Sequence, residues 1–392
     1  MPEQPDLEAV ASLARAAGRI GIDTEFVGEG RFRALLCLVQ ISVDDPSSSD
    51  GVRIEVIDAQ ASYDHAPIAA LLADPEIEIV LHAARQDVGL LKREWETEIT
   101  NLFDTQIAAG FAGLGAQTGY GNLLQAVLDL HLDKSESFTR WDVRPLTEQQ
   151  LSYAREDVEH LLSLTDHLQE RLRESGRLEW AREECRAMEA VTDERDPDLA
   201  YLRLGRIARL KPRDLAVARE LAAWRERAAK VEDKPVGSIL QDPALVEIAK
   251  RKPSDPVALE QIRGVQERTM RRHRQDILEA VKRGLAAEPI KLESSERDRS
   301  DARDAPLISL AEALARSRAI EAGLAYELVA SRSDIQAVVA AVRCGSHEPD
   351  VRTLQGWRRE LVGAELIELL AGRRSLDVDP DGRLRISDSA PA

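Results

Sequence analysis

The chain predicts an α/β domain, a mixed sheet flanked by helices, followed by two all-α helical modules. Three observations predict it. Up to about residue 112, short β-branched apolar runs alternate with helical stretches, as in a sheet covered by helices. Beyond residues 192–198 everything reads as helix and turn, in two blocks of similar length. A polar, charge-rich stretch at 288–305 separates those blocks and has a linker's composition. At 392 residues the chain has room for two or three domains of ~150 residues each.

In order, the apolar runs 19–26, 35–43 and 52–59 read as strands, and the Asp/Pro/Ser/Gly-rich segment 44–51 is turn chemistry between the last two. Such short links predict an antiparallel meander. A helix near 65–73, a buried strand at 77–81 and a helix over 84–95 follow. A short strand at 101–104 precedes helices at 105–112 and 122–130. One long amphipathic helix is expected over 147–174, where Leu151, Val158, Leu161, Leu162, Leu164 and Leu168 keep the helical period. Residues 212–284 form one helical block, interrupted at Asp233-Lys234-Pro235 and at 252–256, and residues 307–372 form another. Their equal size suggests a duplicated module, although sequence identity alone does not establish a repeat. The expected division is 1–195 for the α/β domain, 205–288 for the first helical domain, 289–305 for a linker, 306–376 for the second helical domain and 377–392 for a flexible tail.

The net charge of −17 argues against a polyanion partner until it is divided by region. Residues 1–200 hold 18 Lys+Arg against 39 Asp+Glu, residues 201–300 hold 23 against 16, and the remainder holds 12 against 15. Positive charge is therefore segregated into the middle third, as when one domain performs chemistry and another grips a polyanion. Lys250, Arg251 and Lys252, with Arg268, Arg271, Arg272 and Arg274, are the phosphate-contact candidates. A merely solvated basic surface reads the same way. Cys37, Cys185 and Cys344 are odd in number and widely spaced, which argues for a reducing, cytoplasmic setting and against a disulfide framework. No stretch approaches the ~18 apolar residues of a membrane helix, and the first residues lack a signal peptide's basic and apolar regions.

Asp23 and Glu25 end the first apolar run two positions apart, so on a strand both side chains leave the same face with alpha carbons ~6.6 Å apart. Two acids that close repel unless a cation sits between them, and a hard divalent ion takes oxygen ligands. Asp87 stands just inside the helix after a buried strand, a usual place for ligand-binding residues in α/β sheets. Tyr153 and Asp157 form an i, i+4 pair on one helix face. Taken singly, Asp87 is more often a helix N-terminal acid, Tyr153 a half-buried packing residue and Asp157 a solvated charge. Four carboxylates together hold two divalent ions about 3.5–4 Å apart in two-metal sites.

The ordered set resembles the three exonuclease motifs of the Asp-Glu-Asp-Asp superfamily, in its tyrosine subgroup, and among these the ribonuclease D family of bacteria. The residues that carry the resemblance are Asp23-Thr24-Glu25-Phe26, Leu81-His82-Ala83 with Asp87, Asp104-Thr105-Gln106, Leu132-Asp133-Lys134-Ser135-Glu136-Ser137, Arg144-Pro145-Leu146-Thr147, and Tyr153 with Asp157. Residues 212–284, including Leu221-Ala222-Ala223-Trp224-Arg225, resemble the helicase-and-ribonuclease-D C-terminal (HRDC) module. Residues 307–372 look like a divergent second copy, with Ala330-Ser331-Arg332 and Gly356-Trp357-Arg358-Arg359-Glu360-Leu361 similar to the end of the family. The resemblance implies a ribonuclease-H-like catalytic fold. It also implies that Asp23, Glu25, Asp87 and Asp157 hold two Mg²⁺ or Mn²⁺ ions and that Tyr153 positions the attacking water. Phe26 and His82 would lie against the nucleic acid. The reaction implied is stepwise release of 5′-monophosphates from RNA 3′ ends, such as those of transfer-RNA precursors, with no obligate protein partner. Phe138-Thr139-Arg140-Trp141-Asp142 departs from the family's usual Arg-Thr-Asp-Trp, so Arg140 and Asp142 carry no assigned role. A DNA exonuclease of the same superfamily and a non-catalytic RNA-binding protein remain alternative readings of the residues.

Overall fold

Helix α1 (Leu7–Ala17) starts the fold because Asp6 caps it, accepting the Ala9 N–H at 3.1 Å, and ends at Gly18 in the left-handed conformation with φ 73°. The computed structural model describes residues 5–132, 140–205, 207–291, 303–345 and 348–388. Asp133 to Ser137 of the quoted motif, Phe138 and Thr139, and most of the 289–305 linker lie outside these.

Strands β1 (Arg19–Val27), β2 (Leu35–Asp44) and β3 (Val52–Asp58) form the expected antiparallel meander. After α2 (Ala66–Leu72), β4 (Glu78–Leu81) returns beside β1 in parallel. Helix α3 (Arg85–Glu94) then leads to β5 (Leu102–Asp104), parallel to β4. The order β3-β2-β1-β4-β5 puts β1 at the centre of a mixed sheet. Ile20, Ile22, Ile41 and Ile57 pack on one face against Val10, Leu71, Val88 and Leu91 of α1, α2 and α3.

Helices α4 (Thr105–Phe111) and α5 (Tyr120–Leu128) follow, and then two helices where one is expected: α6 (Glu148–Glu159) and α7 (Leu161–Glu174). They meet at His160, whose φ of −106° and ψ of 6° leave the helical region. The leucine stripe runs on through the break, but it serves two surfaces. Ala154 of α6 packs with Cys37 and Leu38 of β2, whereas Leu161 and Leu162 pack with Val80 of β4. Gly21 permits this close approach, because a Cβ there would stand 2.4 Å from the Ser42 hydroxyl and 3.4 Å from Leu161. Helix α8 (Leu178–Glu189) closes the domain.

The middle block is α9 (Pro212–Glu232), α10 (Val236–Ile239), α11 (Asp242–Arg251), α12 (Pro256–Glu260) and α13 (Glu267–Ala286) around Leu221, Leu245, Ile248 and Ile277. The later block repeats the pattern of a long helix, a single turn and a third helix. It comprises α14 (Asp304–Glu321), α15 (Tyr326–Val329), α16 (Arg332–Cys344), and a final helical stretch. That stretch is α17 (Gly356–Arg358), a π-helical turn (Arg359–Gly363) and α18 (Ala364–Leu370). Its core is continuous with the α/β domain. Trp357 stacks on Trp180 of α8 at 5.3 Å and meets Phe111 of α4 edge-on at 5.0 Å. Arg358 pairs with Glu184 beneath it.

A flexible tail was expected from residue 377, but β6 (Arg374–Val378) and β7 (Leu384–Asp388) form an antiparallel hairpin. Leu376 and Ile386 pair across it and pack on the neighbouring core, while Asp379 builds the turn by accepting the Asp381 and Arg383 N–H groups.

Candidate active site

The site begins where β1 leaves the sheet. Asp23 and Glu25 share one face of the strand, Thr24 is buried on the other, and the β1–β2 register shifts between Glu25 and Phe26. Such a shift bends the strand end and re-aims its last side chains. The cross-strand neighbour of Asp23 is Gln40, fully buried with neither amide atom hydrogen-bonded.

Asp87 is placed by a different acid. Past β4 the chain turns through Ala83, at φ 57°, and Asp104 holds that turn by accepting the Ala83 N–H at 3.1 Å and the Ala84 N–H at 2.8 Å. The same carboxylate caps α4, accepting from Gln106 at 2.8 Å and Ile107 at 3.3 Å. Asp104 is thus a structural brace, and the α3 start it fixes carries Asp87, whose carboxylate accepts the Thr24 hydroxyl. Behind β5, the buried Cys185 thiol accepts the Asp104 N–H at 3.3 Å.

Tyr153 and Asp157 come from α6. Thr147 and Gln150 form a reciprocal capping box that fixes where this helix begins. Arg144 anchors the preceding loop by a two-pronged ion pair with Asp58 at 2.5 and 2.7 Å. The buried Trp141 backs the Tyr153 ring at 6.0 Å. The Tyr153 hydroxyl donates to Asp157, and Arg140, paired with Asp142 at 3.0 Å, faces solvent.

The structure therefore brings Asp23, Glu25, Asp87, Tyr153 and Asp157 within electrostatic reach of one another. Burial, followed by repulsion from Asp87, Asp157 and Glu25, pushes the Asp23 carboxyl well above the usual range. Glu25 is pushed up to about 8 by burial and then by Asp157 and Asp87. Burial lifts Asp157 to about 7 and Asp87 to about 6, the latter against the Thr24 hydrogen bond. The same causes, burial first, raise the Tyr153 phenol. Among the described residues, no Lys or Arg pairs with any of the four acids. Four enclosed carboxylates without a cationic partner are an oxygen-only donor set suited to hard divalent ions. They are not drawn into a closed shell: among the described residues no three His, Cys, Asp or Glu side chains form a group that could hold an ion.

Two more polar atoms near the group went unnoticed in the sequence or lacked a partner. The Tyr120 hydroxyl is buried beside the His160 backbone, within the field of Asp157 and Asp23. The His82 ring lies 5.7 Å from the Tyr120 ring, its Nδ1 2.9 Å from the Thr105 hydroxyl and its buried Nε2 unpartnered. Phe26 lines a cleft together with Gln86, the chain neighbour of Asp87. The basic candidates lie elsewhere. Arg251, Lys252, Arg271 and Arg272 are each paired inside the middle module, with Glu247, Asp214, Glu267 and Glu232. Lys250 is exposed at the end of α11, and Arg268 and Arg272 line a cavity of about 500 Å³.

Residues 2–173 match a family model described as a 3′–5′ exonuclease, and residues 214–281 match the HRDC domain. Ribonuclease D of Gluconacetobacter diazotrophicus is 37% identical over 378 residues, covering 95% of this chain and 93% of the relative. Ribonuclease D of Nitrobacter hamburgensis is 33% identical, covering 98% and 99%. Among solved structures, RNase D of Escherichia coli, described as an exoribonuclease involved in structured RNA processing, superposes with a TM-score of 0.80. It is 28% identical, with 93% of this chain and 96% of that one covered. The catalytic core of RRP6 from Trypanosoma brucei superposes at 0.54 with 26% identity, over 72% and 77%.

Proposed function

The chain belongs to the ribonuclease D family of 3′–5′ exoribonucleases, and we propose that Asp23, Glu25, Asp87, Tyr153 and Asp157 are its catalytic group. What supports this reading is that four carboxylates from β1, α3 and α6 lie within one another's electrostatic field, and that among the described residues no Lys or Arg pairs with them.

Asp23, Glu25, Asp87 and Asp157 would hold two divalent ions, Mg²⁺ or Mn²⁺. When bound, these supply Lewis acidity for a phosphodiester and lower the pKa of water at neutral pH. The protein's own part is positioning. Asp23, central on β1, lies in the field of the other three acids and would be one of the ligands. Tyr153, fixed by Asp157 on one side and Trp141 on the other, presents a phenol that orients the attacking water toward the terminal phosphate. Its raised pKa keeps the proton on the hydroxyl, so its role is donation and orientation. His82 and Phe26 are proposed to contact the terminal nucleotide. The substrates proposed are 3′ ends of structured RNAs, transfer-RNA precursors among them, and residues 306–376 serve as a second, divergent HRDC-like module.

The experiment is nucleotide release from a 3′-extended transfer-RNA precursor in Mg²⁺, with and without chelator. Asp23→Asn is expected to lower kcat by at least ~10³-fold, as loss of a charge-stabilising group does, while RNA binding persists. Tyr153→Phe is expected to lower kcat by ~10²-fold at unchanged melting temperature. Wild-type turnover by Asp23→Asn, or turnover in chelator, refutes the assignment.

A further inference from the structure

A cleft of about 410 Å³ opens between the end of β1, the first turns of α3 and the segment from Val191 to Arg195. Phe26 and Gln86 line its near end, and each is the chain neighbour of a proposed catalytic acid, Glu25 or Asp87. Its walls carry Phe32, Arg33, Arg85 and Arg195. We propose that this cleft seats the single-stranded RNA just upstream of the nucleotide being removed. Arg33, Arg85 and Arg195 take its phosphates, and Phe26 and Phe32 take its bases.

Charge is the first argument. Residues 1–200 carry 18 Lys+Arg against 39 Asp+Glu, an acidic background against which one cavity is lined by three arginines. The arginines beside the cleft are satisfied: Arg31 pairs with Asp233 at 2.8 Å, and Arg93 with Asp193. Among the described residues, Arg33, Arg85 and Arg195 have no carboxylate partner. Arg85 and Arg195 are exposed, and the Arg33 Nε is buried without a hydrogen bond. The acid that shares their cleft, Asp193, is the one already neutralised by Arg93. Three free guanidinium groups around one cavity form an anion site of repeated charge, as a polyphosphate backbone demands.

Aromatic surface is the second argument. Two of the chain's five Phe residues line the cavity, and sequence-independent binding of single strands combines a basic groove with rings on which bases stack. Phe32 is partly buried and packs against the core of the middle helical module. Its N–H donates to Asp233 at the end of α9 at 3.2 Å, so the β1–β2 hairpin tip is tied to the middle helical module. The Arg33 guanidinium lies 5.8 Å from the Phe32 ring centre.

Continuity is the third. Phe32, Arg33 and Arg195 also line a second cavity of about 410 Å³, whose far wall is Arg227 and Lys230 of α9. Glu194, Asp196 and Glu226 share that second cavity; Glu226 is paired with Arg203 at 3.1 Å, and Arg227 with Asp198 at 4.0 Å. The two cavities share Phe32, Arg33 and Arg195 and together run from Phe26 and Gln86, the chain neighbours of Glu25 and Asp87, onto the middle module, the route proposed for a strand whose 3′ end lies at Asp23.

This inference rests on the catalytic reading above, and the test separates the two. Equilibrium binding of a fluorescein-labelled oligoadenylate to the full chain is measured by anisotropy in chelator, where no turnover interferes. At about 0.1 M salt each single-strand phosphate contact is worth about fivefold in affinity. The triple Arg33→Ala, Arg85→Ala, Arg195→Ala variant is therefore expected to bind roughly a hundredfold more weakly, with the salt slope reduced by about two. Arg33→Lys is expected to keep most of the slope, and Arg15→Ala, on the exposed face of α1, to bind as wild type. In Mg²⁺ the triple variant is expected to show its defect as a raised KM. A triple variant with wild-type affinity and slope overturns the cleft while leaving the catalytic site standing. A wild-type chain that releases no nucleotide in Mg²⁺ overturns the catalytic reading instead.

Discussion

Glu25, Asp157 and Asp87, with carboxyl pKa values near 8, 7 and 6, stay partly protonated around neutrality where no cation offsets their repulsion. In the unfolded chain they titrate near ~4, so between about pH 4 and pH 8 the folded state binds more protons than the unfolded one. Folded-state values raised in this way contribute stability that is complete below about pH 4 and lost as pH climbs through about 8. Differential scanning calorimetry in chelator is expected to show the melting temperature falling across that window. Millimolar Mg²⁺, competing with protons for the same oxygens, is expected to raise it more at pH 8 than at pH 6. A flat profile in chelator, or equal Mg²⁺ effects at both pH values, counts against the cluster. Glu25 was legible from its local spacing with Asp23 along β1, whereas Asp87 and Asp157 stood out only as parts of the ordered motifs that carry the family resemblance. Thr24, Gln40 and Tyr120 were not legible, since what gives them meaning is a neighbour on another strand or helix.

Among the elements, the β4–α3 turn is held by one carboxylate with four N–H groups on it. Asp104→Ala removes a helix cap and strands buried donors, so it is expected to cost about 2–4 kcal/mol in urea unfolding. It is also expected to lower kcat by loosening the helix start that carries Asp87. Unchanged stability and unchanged kcat in that variant dismiss the brace. The sequence showed Asp104-Thr105-Gln106 as part of a motif, yet offered no means of telling brace from ligand. The same limit explains the helices. Periodicity reports a continuous apolar stripe from 147 to 174, and nothing in it marks His160, because the break answers to β2 and β4, which lie far away in the chain. Strands β6 and β7 were missed because the Asp- and Ser-rich composition there masks alternating Leu376, Val378, Leu384 and Ile386.

At the scale of the molecule, the second helical block is cemented to the catalytic domain by tryptophan. Trp357 is 1% exposed between Phe111 and Trp180, its Nε1 donating to Glu184 at 3.2 Å. Trp357→Ala is expected to cost about 3–5 kcal/mol and to release residues 304–370 to limited proteolysis ahead of the middle module. Proteolysis at the wild-type rate contradicts a shared core. The division into one α/β and two helical parts was readable from composition and periodicity. This joint was not, for it unites residues more than 170 positions apart.

That joint also governs the order in which the protein is made. Translation delivers Phe111 and Trp180 long before Trp357, so the nascent catalytic domain carries a wet aromatic patch while some 180 further residues are added. Until the last helices leave the ribosome, that patch is a natural landing place for a chaperone.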